Sequence, residues 1–265
     1  MDNRAEYKWT FSERSETGCD VGFNEPMKEN FKKHPYASLV REAIQNSLDV
    51  SLDSSKPVEM KISIKSMNYK SYPSFFEIQD HIRSCMDYYS EYDQAIKIYG
   101  PMLEYLDGIS TPEGKLHYIQ ISDYNTTGMT YVPQSTTNAF YAFVRAAGVS
   151  FKQNASAGGS FGFGKAAYFY LSAIRTLFIS TMDKDGKCFF EGVSSLCTHR
   201  VNGTKVEAIG FYDCNNGVPV DENNQILSRF RRKDAEFNEA GPGTDINIMG
   251  IDLSERTKND IYEEM

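Results

Sequence analysis

Long apolar runs are missing from this chain. No stretch approaches the roughly 18 residues of a membrane-spanning helix, and mean hydropathy is −0.49. A leader-like apolar segment is missing too, because MDNRAEYKWTFSERSE opens on polar and charged residues, so no secretory signal is expected. Positive charge is in deficit. The 28 Lys and Arg set against 36 Asp and Glu leave a formal net charge of −8, which argues against broad coating of nucleic acid. Cysteine is scarce and odd in number, at Cys19, Cys85, Cys188, Cys197 and Cys214, with no Cys-x-x-Cys. Reduced thiols in a cytoplasmic protein are the expectation. The histidines His34, His81, His117 and His199 form no zinc spacing, and Cys197 with His199 reads as strand alternation. Internal repeats and low-complexity linkers are also absent.

What is present is aromatic. The 17 Tyr and 17 Phe exclude wholesale disorder, and 265 residues are enough for a packed core. Residues 1–34 read as an irregular polar arm, and Pro35 to about Asp53 has a helical pattern. Val58–Ile64 alternates like a strand. Residues 66–115 separate it from the next strand, Leu116–Ser122, and contain one or two helices. Residues 130–158 are rich in Ser, Thr, Gly and Asn, so mobility is expected there. A helix over Ala166–Leu171 precedes strands near 174–181, 187–194 and 205–212, the first two joined by an Asp185-Gly186 turn. Residues 213–243 are loop-like and carry the basic run Arg229–Lys233. Thr244–Met249 is the last strand. Hairpins exclude a purely parallel sheet. The fold class expected is α+β: a mixed, largely antiparallel sheet with helices on one face.

Three segments carry chemistry. On the helix Leu39–Asp49, a rotation of about 100° per residue places Glu42, Asn46 and Asp49 within about 60° of arc, with Val40, Ile44 and Ser47 roughly opposite. Such a face is either solvated surface or a site. In a site, the Asn46 carboxamide oxygen suits Mg²⁺ and Glu42 suits the activation of water. In the second segment a strand ends at Asp123, whose carboxylate can accept from an exocyclic amine, and Gly128 lets backbone approach a ligand. The third is Gly158-Gly-Ser-Phe-Gly-Phe-Gly-Lys165, a glycine-rich turn before a helix, whose N–H groups can cradle phosphate. It is not a Walker A loop, because Ala166 follows Lys165.

In this order the segments resemble the GHKL ATPases, the superfamily of gyrase B, Hsp90, histidine kinases and MutL, which has the Bergerat fold. Glu42-x-x-x-Asn46-x-x-Asp49 is similar to the N-box, and Asp123 to Gly128-Met129, including Asn125, to the Asp-x-Gly-x-Gly box. Gly159, Ser160, Phe161, Gly162, Phe163 and Gly164 resemble the glycine box of an ATP lid, and Gly243-Thr244 the late Gly-Thr strand. The resemblance implies ATP and Mg²⁺ as cofactors. Glu42 becomes the general base, Asn46 the Mg²⁺ ligand, Asp123 the adenine acceptor and Thr244 its support through water. The lid glycines bind phosphate, and Lys165 reaches for it.

Within the superfamily the motifs look most like bacterial MutL- and MORC-like proteins linked with phage defence or restriction. The resemblance further implies an ATP-binding domain over 35–250 with a lid at 130–165, slow hydrolysis, and a nucleotide-dependent homodimer acting as a switch. A partner protein or DNA would be engaged through regions beyond this sequence. Residues 251–265 are expected to begin a linker toward a further domain, the chain being an N-terminal fragment. Asn125 stands where the family has glycine, and one extra residue precedes Gly128. That departure keeps open a second expectation, a non-hydrolysing nucleotide-binding module that recruits a partner. A third, a protein kinase of the same superfamily, is opposed by Glu42.

Overall fold

The computed structural model describes residues 6–24, 33–71, 73–146, 165–222, 224–232 and 241–265. Alternating apolar residues give eight strands: β1 (Lys8–Glu13), β2 (Glu59–Asn68), β3 (Lys115–Tyr124), β4 (Thr176–Met182), β5 (Cys188–Ser195), β6 (His199–Val201), β7 (Thr204–Asp213) and β8 (Gly243–Met249). They form one sheet of order β1-β7-β5-β4-β8-β3-β2, with β6 beside β7. Each described pairing is antiparallel, so the parallel component of the expected mixed sheet does not appear among these strands. In this register Ser122 faces Asp245 and Thr181 faces Thr244. The ends of β3 and β4 and the start of β8 therefore meet at one margin of the sheet.

The helices are α1 (Pro35–Leu48), α2 (Ile78–Tyr88), α3 (Asp93–Ile109), α4 (Lys165–Leu171) and α5 (Lys258–Glu264). The period of two along each strand decides which face each helix covers. Ile119, Ile121, Leu177, Ile179 and Ile248 point to the face packed by Leu39, Ala43, Tyr168, Phe169 and Ile261 of α1, α4 and α5. Leu116, Tyr118, Phe178 and Met249 point the other way, onto Ile78, Ile82, Cys85, Ala95, Tyr99 and Leu106 of α2 and α3. The helices expected on one face are there, and the segment 66–115 covers the second.

Three other expectations change. The N-terminal arm contributes β1, because Tyr7, Trp9 and Phe11 alternate into the core and the Trp9 indole N–H donates to the Phe75 carbonyl at 3.0 Å. Residues 258–264 form α5 instead of a linker. Thr257 and Asp260 cap it reciprocally, Ile261 is buried, and the Tyr262 hydroxyl accepts from the Ile64 amide at 2.7 Å. Residues 138–146, expected within a mobile lid, are packed, with Phe140 and Val144 fully buried. Among the described residues no helix is long and apolar enough to cross a membrane.

Candidate functional site

Helix α1 starts on Pro35, a residue that gives up no needed donor in a first turn. It has no side-chain N-cap of its own. Glu264 of α5 takes that part, accepting from the Tyr36 amide at 3.2 Å, so a carboxylate sits at the positive end of the helix dipole. The buried stripe of α1 is Tyr36, Leu39, Ala43 and Ser47. This corrects the expected apolar face of Val40, Ile44 and Ser47, since Ile44 is 43% and Leu48 58% exposed. Leu39 and the small side chains at 43 and 47 let the helix lie closer to the sheet than the branched Val40 and Ile44 would. The rotation places Glu42 and Asn46 at the rim of the packed stripe. There the Asn46 amide donates to Glu42 Oε1 at 3.3 Å, one turn apart. Asp49 caps the end of α1 through its backbone N–H.

Beneath the end of α1 lies Asp123. Its Oδ1 accepts from the Thr126 hydroxyl at 2.7 Å and from the Thr244 amide at 2.7 Å. Its Oδ2 accepts from the Ser47 hydroxyl at 3.1 Å. An ionised carboxylate offers about four acceptor positions, so these donors among the described residues leave one, on Oδ2. Ser47 and Thr126 carried no role in the sequence reading, although both lie inside the quoted motifs. Thr244 supports Asp123 through its backbone, while its hydroxyl lies 3.2 Å from that of Thr181. Thr181 in turn accepts from the Met129 amide at 2.7 Å and lies 3.0 Å from the Gly243 carbonyl.

Gly128 has φ +62°, and a methyl group there would collide with the Met182 carbonyl. Position 128 therefore needs glycine for conformation and for space. Asn125 also has positive φ, 58°, which asparagine tolerates. Its side chain is turned to the loop after α1. It accepts from the Asp53 amide at 3.0 Å and donates to the carbonyls of Asp53, Lys56 and Pro57 at 2.9–3.2 Å. The structure thus gives Asn125 a scaffolding task at this margin.

Two arginines that pair with buried carboxylates were not singled out by their sequence context. Arg232, from the basic run in the stretch read as loop-like, is fully buried. It pairs with Asp245 at 2.7 Å and donates to the Gly241 carbonyl at 3.1 Å and to the backbone carbonyl of Asp123. Burial raises the Asp245 carboxyl, and Arg232 opposes that shift. Arg145, in the stretch read as mobile, forms a two-pronged pair with buried Glu191 and donates to the Gly217 carbonyl at 2.6 Å. Its guanidinium lies 4.4 Å from the Phe211 ring centre.

Lys165, expected to reach phosphate, instead donates to the carbonyls of Val144 and Ala146 at 3.0 and 3.4 Å. Burial lowers its pKa to about 8, against the pull of Glu191. Gly159, Ser160, Phe161, Gly162, Phe163 and Gly164 lie outside the described residues. No protein-family model matches this chain, and no curated protein matches it at significance.

The site therefore joins Glu42, Asn46, Asp123, Gly128, Met129 and Thr244 at one margin, with Asp49 close by. The donor chemistry fits an amino-bearing base at Asp123 and a hard cation at Asn46. Among the described residues no group of three or more His, Cys, Asp or Glu could hold a metal ion.

Proposed function

We propose that this chain is a Mg²⁺-dependent ATP-binding module with slow ATPase activity, whose nucleotide-driven closure and homodimerisation act as a switch. The observation that carries the reading is Asp123, held by three donors with one acceptor position left, and bonded through one of them, Ser47, to the helix that carries Glu42 and Asn46. A lone acceptor held by three donors selects a donor such as the adenine amino group and disfavours a keto oxygen, because a carboxylate facing a second acceptor gains no hydrogen bond and is repelled.

Asn46 would hold Mg²⁺ through its carboxamide oxygen, and that cation would neutralise phosphate charge. Glu42 takes a proton from the attacking water, and its rim position gives it access to solvent. Phosphoryl transfer depends chiefly on positioning and electrostatics. Turnover is therefore expected to be slow wherever the groups that enclose the γ-phosphate are supplied by a second protomer or another domain. A bacterial defence or restriction system, acting in the cytoplasm through a partner protein or DNA, is the setting proposed from the motif resemblance.

Isothermal titration of the wild type, Asp123→Asn and Glu42→Ala with Mg-ATP, Mg-AMPPNP and Mg-ADP tests this. Wild-type binding that falls at least about tenfold in Asp123→Asn is expected, since a charged hydrogen bond of about 1.5–3 kcal/mol is lost. Glu42→Ala is expected to bind ATP and release no phosphate. Equal affinity for wild type and Asp123→Asn would remove Asp123 from the adenine site. Binding without turnover in the wild type, as the monomer and as the nucleotide-bound dimer, would favour the non-hydrolysing module.

A further inference from the structure

Strand β2 ends the sheet, and β3 is its one neighbour among the described strands. An edge strand presents a row of N–H and C=O groups on which another chain can pair, and proteins usually cover or charge such an edge. On β2 the cover reaches only half way. The Ile64 amide donates to the Tyr262 hydroxyl at 2.7 Å, and the Ile64 carbonyl accepts from Lys258 Nζ at 3.2 Å, both from α5. The Ser66 carbonyl accepts from Arg229 at 3.3 Å. Backbone groups alternate in direction along an antiparallel strand, so those of Met60 and Ile62 point outward with those of Ile64. No described residue bonds to them.

The open half of the edge is apolar. Met60 and Ile62 turn their side chains to the α1 face of the sheet and are only partly buried there. Helix α1 runs from α5 toward Asp123, alongside β3. Its right-handed rotation carries Val40, Ile44 and Leu48 to the flank over β2, and Glu42 and Asn46 to the other flank. Ile44 and Leu48, with Leu52 just beyond the helix, are 43%, 58% and 44% exposed. Clustered exposed apolar side chains mark an interaction surface, and the bare strand beneath them asks for another strand.

We propose that this surface is an interface between two copies of the chain, in which β2 pairs antiparallel with β2 of the second copy about a two-fold axis at Met60. The charges select that register. Centred on Met60, Glu59 of each copy lies opposite Lys61 of the other, giving two opposite-charge pairs. Centring on Glu59 or on Lys61 sets like charges against each other. Centring on Ile62 places Met60 opposite Ile64, whose backbone groups α5 already occupies. In the Met60 register the Met60 backbone groups of the two copies bond to each other, Ile62 faces Val58, and Ile44, Leu48 and Leu52 of both copies flank the seam. A two-fold contact is self-complementary and closes at two copies. No nucleotide group takes part, so the inference goes beyond the ATP reading, which implies a dimer and names no surface.

Sedimentation equilibrium of the full chain, without nucleotide and with Mg-AMPPNP, tests this. The wild type is expected to show a monomer–dimer equilibrium. Glu59→Lys and Lys61→Glu should each weaken the dimer roughly 5–50-fold, since each turns two favourable cross-strand pairs into repulsive ones. The double variant exchanges the charges and should return the dimer to within about threefold of the wild type. Leu48→Lys, at a position exposed in the single chain, should weaken the dimer at least about fivefold through lost apolar burial. Circular dichroism and melting temperature check that each variant keeps the fold.

A wild type that is monomeric throughout under both conditions would overturn the second copy as the occupant and leave the edge to a strand of another protein. A dimer that none of the variants weakens would place the interface elsewhere. Single variants that weaken the dimer with no recovery in the double would overturn the register. A chain that dimerises as described yet binds no nucleotide would leave this interface standing and remove the ATP reading.

Discussion

The two faces of the sheet are built from the same strands but do different work. The face under α2 and α3 is a continuous aromatic packing, in which Phe178 stacks on Tyr212 at 5.3 Å and meets Phe75, Phe190 and Phe230 edge-on. The face under α1, α4 and α5 is mostly aliphatic. Polar side chains gather on it at the margin where β3, β4 and β8 end. Strand ends suit a site because backbone and short side chains there have donors that no neighbouring strand satisfies. The aromatic face supplies stiffness, and the aliphatic face can leave room at its edge.

The faces are not independent, and Arg232 is where they join. It lies with Phe230 and Asp245 on the aromatic side, yet reaches the backbone carbonyl of Asp123. Breaking this link should have the largest effect. Arg232→Met leaves the Asp245 carboxylate buried without its partner, and a loss of about 3–5 kcal/mol of stability is expected. Chemical denaturation checks this. The double change Arg232→Met with Asp245→Leu should recover most of the loss, because a buried pair is replaced by apolar volume. If the double variant is as unstable as the single, the pair is not the source of the effect.

A second contrast concerns pH. On the aromatic side His81 lies 3.0 Å from His199, nitrogen to nitrogen, and stacks on Phe11 at 4.1 Å. Burial, then the neighbouring imidazole, lowers the His81 pKa to about 4, and burial lowers that of His199. A base whose folded pKa lies below its unfolded value takes up protons on unfolding. Stability should therefore be intact above pH 6.5 and decline as pH falls from 6.5 toward 4. The expected contribution of His81 is of order 1–3 kcal/mol. Urea midpoints at pH 7 and pH 4.5 for the wild type and His81→Gln check this. A slope unchanged in the variant would assign the acid sensitivity elsewhere.

Much of this was legible in the residues. Ile119, Ile121 and their neighbours alternate over a full strand, so β3 and the placing of Asp123 at its end follow from period alone. The same holds for β2, β4, β5, β7 and β8. Two elements escaped for opposite reasons. In β1 the alternation Tyr7, Trp9, Phe11 is present but spans only three inward positions among charges. Residues 258–264 carry one buried apolar residue, and their clearest signal was the Thr257–Asp260 capping pair.

The rotation of α1 could not be read from its angles, because two apolar stripes were available. The tertiary fit of Ala43 and Ser47 selected one of them. Arg145 and Arg232 were unreadable for a deeper reason. A charged residue is buried only where its counter-ion is buried too, and Glu191 and Asp245 are distant in sequence. Ser47 and Thr126 lay inside the motifs, yet nothing in a one-dimensional spacing shows that their hydroxyls converge on one carboxylate.

That convergence allows the finest test of the contrast. Ser47 donates to Asp123 Oδ2 at 3.1 Å on the site face, and Ser74 pairs with the Tyr212 hydroxyl at 2.9 Å on the aromatic face. Each is one hydroxyl contact, so Ser47→Ala and Ser74→Ala should each remove about 0.5–1.5 kcal/mol of stability. Their effects on ligand binding should differ. Losing Ser47 leaves the Asp123 carboxylate with one restraint fewer and two open positions on Oδ2, so nucleotide affinity should fall about 2–5-fold, less than in Asp123→Asn, where the charge itself goes. Losing Ser74 should leave affinity unchanged, because its contact with Tyr212 lies in the aromatic cluster on the opposite face of the sheet. Titration of both variants with Mg-AMPPNP decides the matter. Equal losses of affinity would mean that the two faces respond as one body and that the site is tuned by overall rigidity. A loss confined to Ser47→Ala would mean that Asp123 is set by its own three donors.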